Sequence, residues 1–326
     1  MDTRTPPRPN DPQDRDAVLQ RMFADRMGPE RCAKRLATER AREKEYHNPV
    51  GSRLTFLKRR LFRPIEIAAL KLCGLYRRGH RNSLDFQAKR LDLPLEGLPA
   101  AFDGFTLLHL SDLHIDLHPG IAPAIAEFTS TLAYDACVIT GDFRNLTVGP
   151  WKAAAQGALT VLRVLRAPVH AVLGNHDTLN LVDVLEQAGA RFLLNECACI
   201  RREDATLALL GIDDPNIYQT DDLPRALAAM PSGAFPVLLS HSPCIYRRAE
   251  AAGVRLLLAG HTHGGQICLP GGRPILDNDP TPRPFQRGLW SYRSLVGYTS
   301  VGIGTCGIPV RFHCPPEAAL LTLRAR

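Results

Sequence analysis

Five short polar clusters punctuate the last two-thirds of this 326-residue chain: Asp112-Leu113-His114, Gly141-Asp142, Gly174-Asn175-His176-Asp177, Ser240-His241-Ser242-Pro243 and Gly260-His261-Thr262-His263. Each stands where an apolar run stops. Carboxylate oxygen, amide oxygen and imidazole nitrogen are the donors that borderline divalent cations take, and the clusters offer enough of them for two adjacent ions. The chemistry such a set supports is hydrolysis by metal-activated water. Taken singly, each cluster reads as an ordinary turn: Gly-Asp is a common turn dipeptide, and two histidines one residue apart can be a solvated pair. Five in series at the ends of apolar runs are not explained that way.

The elements that must carry them are short. Phe105–Leu110, Ala136–Thr140, Val169–Leu173, Leu207–Leu210, Pro236–Leu239 and Val254–Leu258 are near-continuous apolar runs that suit buried strands. Between them, Pro123–Ala133, Trp151–Leu165, Leu181–Ala188 and Leu223–Met230 suit helices, and Gly297–Val301 and Ala318–Leu323 read as closing strands. The alternation predicts an α/β domain over residues 101–326 with its polar clusters at the carboxyl ends of strands. Gly141, Gly174 and Gly260 allow the sharp turns that swing a polar residue into a site. His109 and His170 fall inside predicted strands and read as core histidines, and His118 falls on a loop. His80 and His313 have no evident partner.

Nine cysteines, odd in number and scattered, read as reduced thiols, several within apolar runs, which favours the cytoplasm. Residues 1–50 are charged throughout and show no signal-peptide core. The net charge of +7 is uneven. Residues 1–100 hold 22 Lys and Arg against 13 Asp and Glu, so the catalytic part is close to neutral and nucleic acid is an unfavoured partner.

Residues 1–100 are expected to form a charged, partly helical extension. Within it, residues 53–78 place Leu54, Leu57, Leu61 and Ile65 at helical spacing, with Pro64 expected to kink or split the helix. Glu66 and Lys71 make the segment too charged to cross a bilayer. Two readings stand: a stripe that packs on the main domain, or an interfacial helix whose basic residues, across 53–81, meet an anionic membrane surface. The second would put the protein on the inner face of the cytoplasmic membrane.

In their order the five clusters resemble the calcineurin-like metallophosphoesterase superfamily, over about residues 104–326. The run Gly260–Gly272 with the later Gly302–Pro316 is similar to its bacterial YkuE/YaeI-like branch. The resemblance implies a four-layer αββα sandwich with a two-metal centre at one edge. Carried over residue by residue, it gives Asp112, His114 and His263 to one metal, Asn175, His241 and His261 to the other, and Asp142 to both. Mn, Fe, Zn or Ni would each suit this thiolate-free set. Hydroxide generated between the cations near neutral pH would attack phosphorus, with His176 assisting the leaving group and Asp177 as its orienting partner.

The substrate is less determined. The segment Gly264–Trp290 carries Arg273, Arg283 and Arg287, and two readings stand: a rim of the site with arginine reaching a phosphate, or a structural segment held by its prolines. Some relatives cleave the pyrophosphate bond of UDP-diacylglucosamine, so a phosphodiesterase or pyrophosphatase acting on lipid-borne phosphates is expected. The alternatives are a phosphomonoesterase or nuclease on soluble substrates, and a non-catalytic scaffold of the same fold.

Overall fold

The computed structural model describes residues 12–47, 64–166, 168–275 and 279–326. Two six-stranded sheets form its centre. The first runs β1 (Gln87–Leu95), β14 (Glu317–Ala325), β2 (Thr106–Leu110), β3 (Ala136–Ile139), β4 (Val169–Ala171), β5 (Ala190–Phe192). The second runs β12 (Gly288–Tyr292), β13 (Leu295–Thr299), β9 (Leu256–Ala259), β8 (Phe235–Leu239), β7 (Ala205–Gly211), β6 (Glu196–Arg202). Strands β2 to β5 are parallel, as are β7, β8, β9 and β13, so the carboxyl ends within each set emerge on one edge.

Side-chain alternation decides the layering, because successive residues of a strand face opposite sides. Leu107, Val138, Leu209, Val237, Leu239, Leu256 and Leu258 join one core between the sheets. Their neighbours Leu108, Cys137 and Ile139 face outward onto α5 (Ile121–Ser130) and α6 (Lys152–Leu162), together with α7 (Asn180–Glu186). On the far side Leu210, Leu238 and Leu257 meet α8 (Leu223–Ala228) and α9 (Tyr246–Ala251). Strands covered on both faces must be apolar throughout, which is why they appear as unbroken runs in the sequence. The result is the expected four-layer αββα sandwich.

The N-terminal third is more involved with this sandwich than a charged extension suggests. Helices α1 (Pro12–Met27) and α2 (Pro29–His47) bury Leu19, Phe23, Met27, Cys32 and Leu36 in the same core as α5 to α7. Strand β1 pairs in parallel with β14 over nine residues, so the first sheet takes in chain ahead of the expected boundary at 101. Leu54, Leu57 and Leu61 of the basic segment lie outside the described residues. Helix α3 is described over residues 64–72. It stops at Gly74, whose φ of 70° accompanies a bond from Leu75 N–H back to Leu70 O, and α4 (Tyr76–Asn82) follows. Ile65 and Leu72 on α3 are 59% and 89% exposed, so its apolar residues are not spent on the core.

Candidate metal centre

The polar clusters sit on the loops that leave the carboxyl ends of β2, β3, β4, β8 and β9. Five of the seven expected ligands hold left-handed backbone: Asp112, His114, Asp142, His261 and His263 have φ between 40° and 72°. Non-glycine residues visit that region at a cost, and such strain gathers where a side chain must point against the run of the chain. The glycines supply room rather than function. A Cβ on Gly174 would stand 2.2 Å from Asp142 Oδ1, and one on Gly260 would stand 1.8 Å from Ser111 Oγ and 2.4 Å from Asp112 Oδ2.

All seven expected ligands converge. His114 Nε2 lies 3.0 Å from His263 Nε2, and His263 Nε2 lies 3.3 Å from Asp112 Oδ1. On the other side His241 Nε2 lies 3.0 Å from Asn175 Oδ1 and 3.2 Å from His261 Nδ1. Asp142 Oδ2 stands between the two groups, 3.7 Å from His114 Nε2 and 3.2 Å from His241 Nε2. Its other oxygen, Oδ1, is taken by the N–H of His176 at 2.9 Å.

The donor set fits cations better than protons. His114 donates from Nδ1 to the Arg144 carbonyl at 2.8 Å, and His241 from Nδ1 to the Thr140 carbonyl at 2.7 Å. Each Nε2 is thereby left with its lone pair facing the centre. The centre is thus lined by acceptors 3.0–3.3 Å apart, an arrangement that needs positive charge among them. The electrostatics say the same. Burial disfavours charge on His241, but Asp142, Asp112 and Asp214 outweigh it and push the imidazole up to about 10. Burial would also raise Asp142, yet the neighbouring imidazoles, His241 foremost, hold it well below the usual carboxylate range. His114 and His263, with burial dominant, are pushed down.

His176 stands apart from the acceptor cluster. Its Nδ1 donates to the Asn145 carbonyl at 2.5 Å, and its Nε2 is 3.9 Å from Asp142 Oδ2, at the open side. Burial first, against the opposing pull of Asp142, lowers its pKa to about 4. The expected partnership with Asp177 is corrected here. The Asp177 carboxylate accepts four main-chain N–H groups, from Asp142, Phe143, Arg144 and Gly174, at 2.8–3.3 Å. It fastens the β3 loop to the β4 loop and does not touch the His176 ring, whose tautomer is set by a carbonyl instead.

A calcineurin-like phosphoesterase family profile matches residues 105–265, the stretch from β2 through the last two histidines. These residues are a calcineurin-like phosphoesterase domain. The chain is 28% identical over 266 residues to the metallophosphoesterase YkoQ of Bacillus subtilis, covering 78% of this chain and 96% of that one. It is 27% identical over 238 residues to YkuE of the same organism, covering 70% and 82%. To the phosphodiesterase YaeI of Escherichia coli it is 28% identical over 230 residues, covering 67% and 82%. The bacterial branch read from the sequence is therefore the right one, and the chain is a hydrolase of phosphoric ester bonds.

The phosphoesterase centre opens into a cleft of about 710 Å³. Asp142, His176, His261 and His263 form its polar end, and Leu70, Ile217, Ile267, Ile275 and Ile308 form apolar walls. Arg273, Arg283 and Arg287, placed at the rim by one reading of their segment, are absent from the residues that line it; Arg287 instead donates to the Gly272 carbonyl at 2.8 Å. The long segment contributes Ile275, Asp279 and Gln286 in their place.

Several residues of the phosphoesterase site escaped sequence reasoning. Cys306 brings its thiol within 4.8 Å of donor atoms of His114 and His263. Asn216 and Asp279 flank His261. A signal existed for the loop that carries Asn216: Gly211-Ile212-Asp213-Asp214 is another apolar strand ending in polar residues, the pattern of the other clusters. Asp279 stands in the polar run Asp277-Asn278-Asp279-Pro280 inside a long Gly- and Pro-rich stretch, which carries no such signal.

Proposed function

We propose that the protein is a two-cation phosphodiesterase or pyrophosphatase whose substrate carries an apolar group, and that it works at an anionic membrane surface. The observation that carries the reading is the meeting of two donor groups on Asp142 Oδ2 at the polar end of a cleft with aliphatic walls. Asp112, His114 and His263 would hold one divalent cation and Asn175, His241 and His261 the other, with Asp142 shared. When bound, the cations supply Lewis acidity toward the phosphoryl group and lower the pKa of water.

The chain's own residues orient and move protons. Asp142 keeps Oδ1 on the His176 N–H and turns Oδ2 inward, so the catalytic imidazole is placed relative to the centre by the shared carboxylate. Burial lowers the His176 pKa, and the negative charge of a bound phosphoester favours the imidazolium. The imidazolium so formed would pass its Nε2 proton to the leaving oxygen. Asn145 holds the ring by its carbonyl, which fixes Nε2 as the working nitrogen.

Helix α3 supports the membrane part of the reading. It walls the cleft with Glu66, Ala69 and Leu70 while Ile65 and Leu72 face solvent beside it. Apolar residues flanked by Lys71, Arg77 and Arg78 are the composition of an interfacial segment. A lipid pyrophosphate such as UDP-diacylglucosamine would place its phosphates at the histidines and its acyl chains along the aliphatic walls.

The test combines metal analysis of the purified protein with parallel assays on an aryl phosphomonoester, an aryl phosphodiester and a nucleoside-diphosphate lipid, and with sedimentation on vesicles of 30% (roughly) phosphatidylserine, a surface that attracts basic segments. The Ile65→Asp, Leu72→Asp double variant should lose vesicle binding and keep hydrolysis of the soluble diester. Preference for the monoester, or equal sedimentation of variant and parent, would remove the lipid reading. Wild-type protein inert with Mn, Fe, Ni and Zn would leave the scaffold.

A further inference from the structure

We propose that Asp279 is a positioning residue for His261, delivered by the long segment that follows the last cluster, and that it fixes the tautomer in which Nδ1 binds a cation. This rests on the two-cation reading above.

The geometry of four of the five histidines at the centre carries the argument. His114, His241 and His176 each donate from Nδ1 to a main-chain carbonyl, of Arg144, Thr140 and Asn145, and present Nε2 inward. His261 is reversed. Its Nδ1 faces the centre, 3.2 Å from His241 Nε2, and its Nε2 points away, 3.3 Å from Asp279 Oδ2. A neutral imidazole has one proton to place. A carboxylate offers only acceptors, so the proton belongs on Nε2 and the lone pair is left on Nδ1. The Asn216 side chain places its Nδ2 3.0 Å from the same Nε2, and the amide turned over presents its oxygen to that N–H instead.

Asp279 is itself held. Its Oδ1 accepts the Thr281 N–H at 2.7 Å, which leaves Oδ2 for the imidazole. Gln286 donates from its side chain to the carbonyls of Thr281 at 2.7 Å and Asp279 at 3.3 Å. The Gln286 carbonyl in turn accepts the Thr262 hydroxyl at 2.5 Å, so the segment is fastened to the residue between the two histidines it serves. A carboxylate oxygen 3.3 Å from Nε2, in the place where His114, His241 and His176 have a carbonyl, favours the N–H on Nε2 and orients the ring. Residues that support a ligand in this way commonly change metal affinity by about 10–100-fold.

The experiment is calorimetric titration of metal-free, full-length protein with Mn²⁺ and with Zn²⁺, for the wild type and for Asp279→Ala, Asp279→Asn and His261→Ala. Wild type should take two equivalents. Asp279→Ala should keep one at wild-type affinity and weaken the other about 10–100-fold, the same equivalent that His261→Ala loses. Asp279→Asn, which retains an acceptor oxygen, should recover most of it. Two equivalents of unchanged affinity in Asp279→Ala would overturn the proposal and leave the two-cation reading standing, whereas a wild type that binds no cation would overturn both. Should Asp279→Ala not fold, the ring nitrogens of His261 in the wild type decide the matter by ¹⁵N NMR. The proton should be on Nε2, and a proton on Nδ1 would sink the assignment.

Discussion

The guanidinium of Arg35, on α2, donates from Nη2 to the main-chain carbonyl of Asp177 at 2.9 Å, and from the same nitrogen to the Gly174 carbonyl at 3.5 Å. It thus grips both ends of the loop that carries Asn175 and His176. Its Nη1 pairs with Asp213 and its Nε donates to Glu39 at 3.2 Å, with Arg35 and Asp213 wholly buried. Glu39 then accepts from Thr178 and from the Leu179 N–H, just beyond the loop. A helix ahead of the matched span therefore sets the back of the catalytic loop. Arg35→Ala leaves a buried carboxylate without its partner and is expected to cost about 3–5 kcal/mol. Urea unfolding followed by circular dichroism would read it as a lowered midpoint with an unchanged slope. In the fraction that stays folded, turnover should fall while both cations remain bound.

Gly260, just beyond β9 of the second sheet, packs directly against Ser111 and Asp112 beyond β2 of the first. A methyl group there would collide with Ser111 Oγ and Asp112 Oδ2, and Asp112 is held in place by accepting the His261 N–H at 3.1 Å. Gly260→Ala should therefore displace Asp112 and weaken one cation, with its effect on metal content larger than its effect on melting temperature. Metal analysis of the variant beside Gly253→Ala is the control. Gly253 has a positive φ and nothing within 4 Å of an added Cβ, whereas Gly260 has no positive φ, so Gly253→Ala reports backbone strain alone and Gly260→Ala reports collision.

Two core histidines predict an acid limb to stability. Burial pushes His109 down to about 3, and burial first with Arg191 second pushes His170 down to about 4. Both lie below the 6.5 of an exposed imidazole. The unfolded chain therefore takes up protons that the folded chain refuses. Their contribution is complete above about pH 6.5 and is lost as pH falls toward 4, at about 1.4 kcal/mol per pH unit for each histidine. Thermal unfolding of the His109→Gln, His170→Gln variant should show a shallower fall between pH 6.5 and 4.5 than the parent, whatever its offset at pH 7.

Much of this architecture could be read from the chain because the central strands are buried on both faces. Phe235–Leu239 and Leu256–Ala259 have no room for polar residues until the chain leaves the sheet, so the change from apolar to polar marks the site itself. Edge strands lack that signature. β1, Gln87–Leu95, is exposed over its first four residues and looks like loop, and its pairing with β14 could not be foreseen. The helices α1 and α2 misled for a related reason. Arg26, Arg35 and Glu39 are charged, yet they are satisfied by Glu186, Glu196, Asp213 and Thr178 at the interface, and a sequence reading takes such residues for a solvated face. Asp177 is legible as a site residue, but its partner is not. Adjacency in sequence suggested the His176 ring, whereas the turn places the carboxylate under four backbone N–H groups.

Asp142 and His176 are in contact but should fail differently when replaced. Asp142 supplies the oxygen common to both donor groups, so Asp142→Ala should strip both cations, lower the melting temperature of the metal-loaded protein and abolish hydrolysis. His176 holds its Nε2 3.9 Å from that oxygen and spends Nδ1 on Asn145, so on the proposed role its loss would remove a proton donor and leave the acceptor cluster whole. His176→Gln should keep two equivalents of metal and lower kcat by about 10²–10⁴-fold. The loss should shrink for substrates whose leaving group needs no proton. Comparing p-nitrophenyl with alkyl phosphodiesters measures this, since nitrophenolate departs unaided and an alkoxide does not. A His176→Gln defect of equal size on both would mean that His176 positions the phosphate and does not protonate the leaving oxygen.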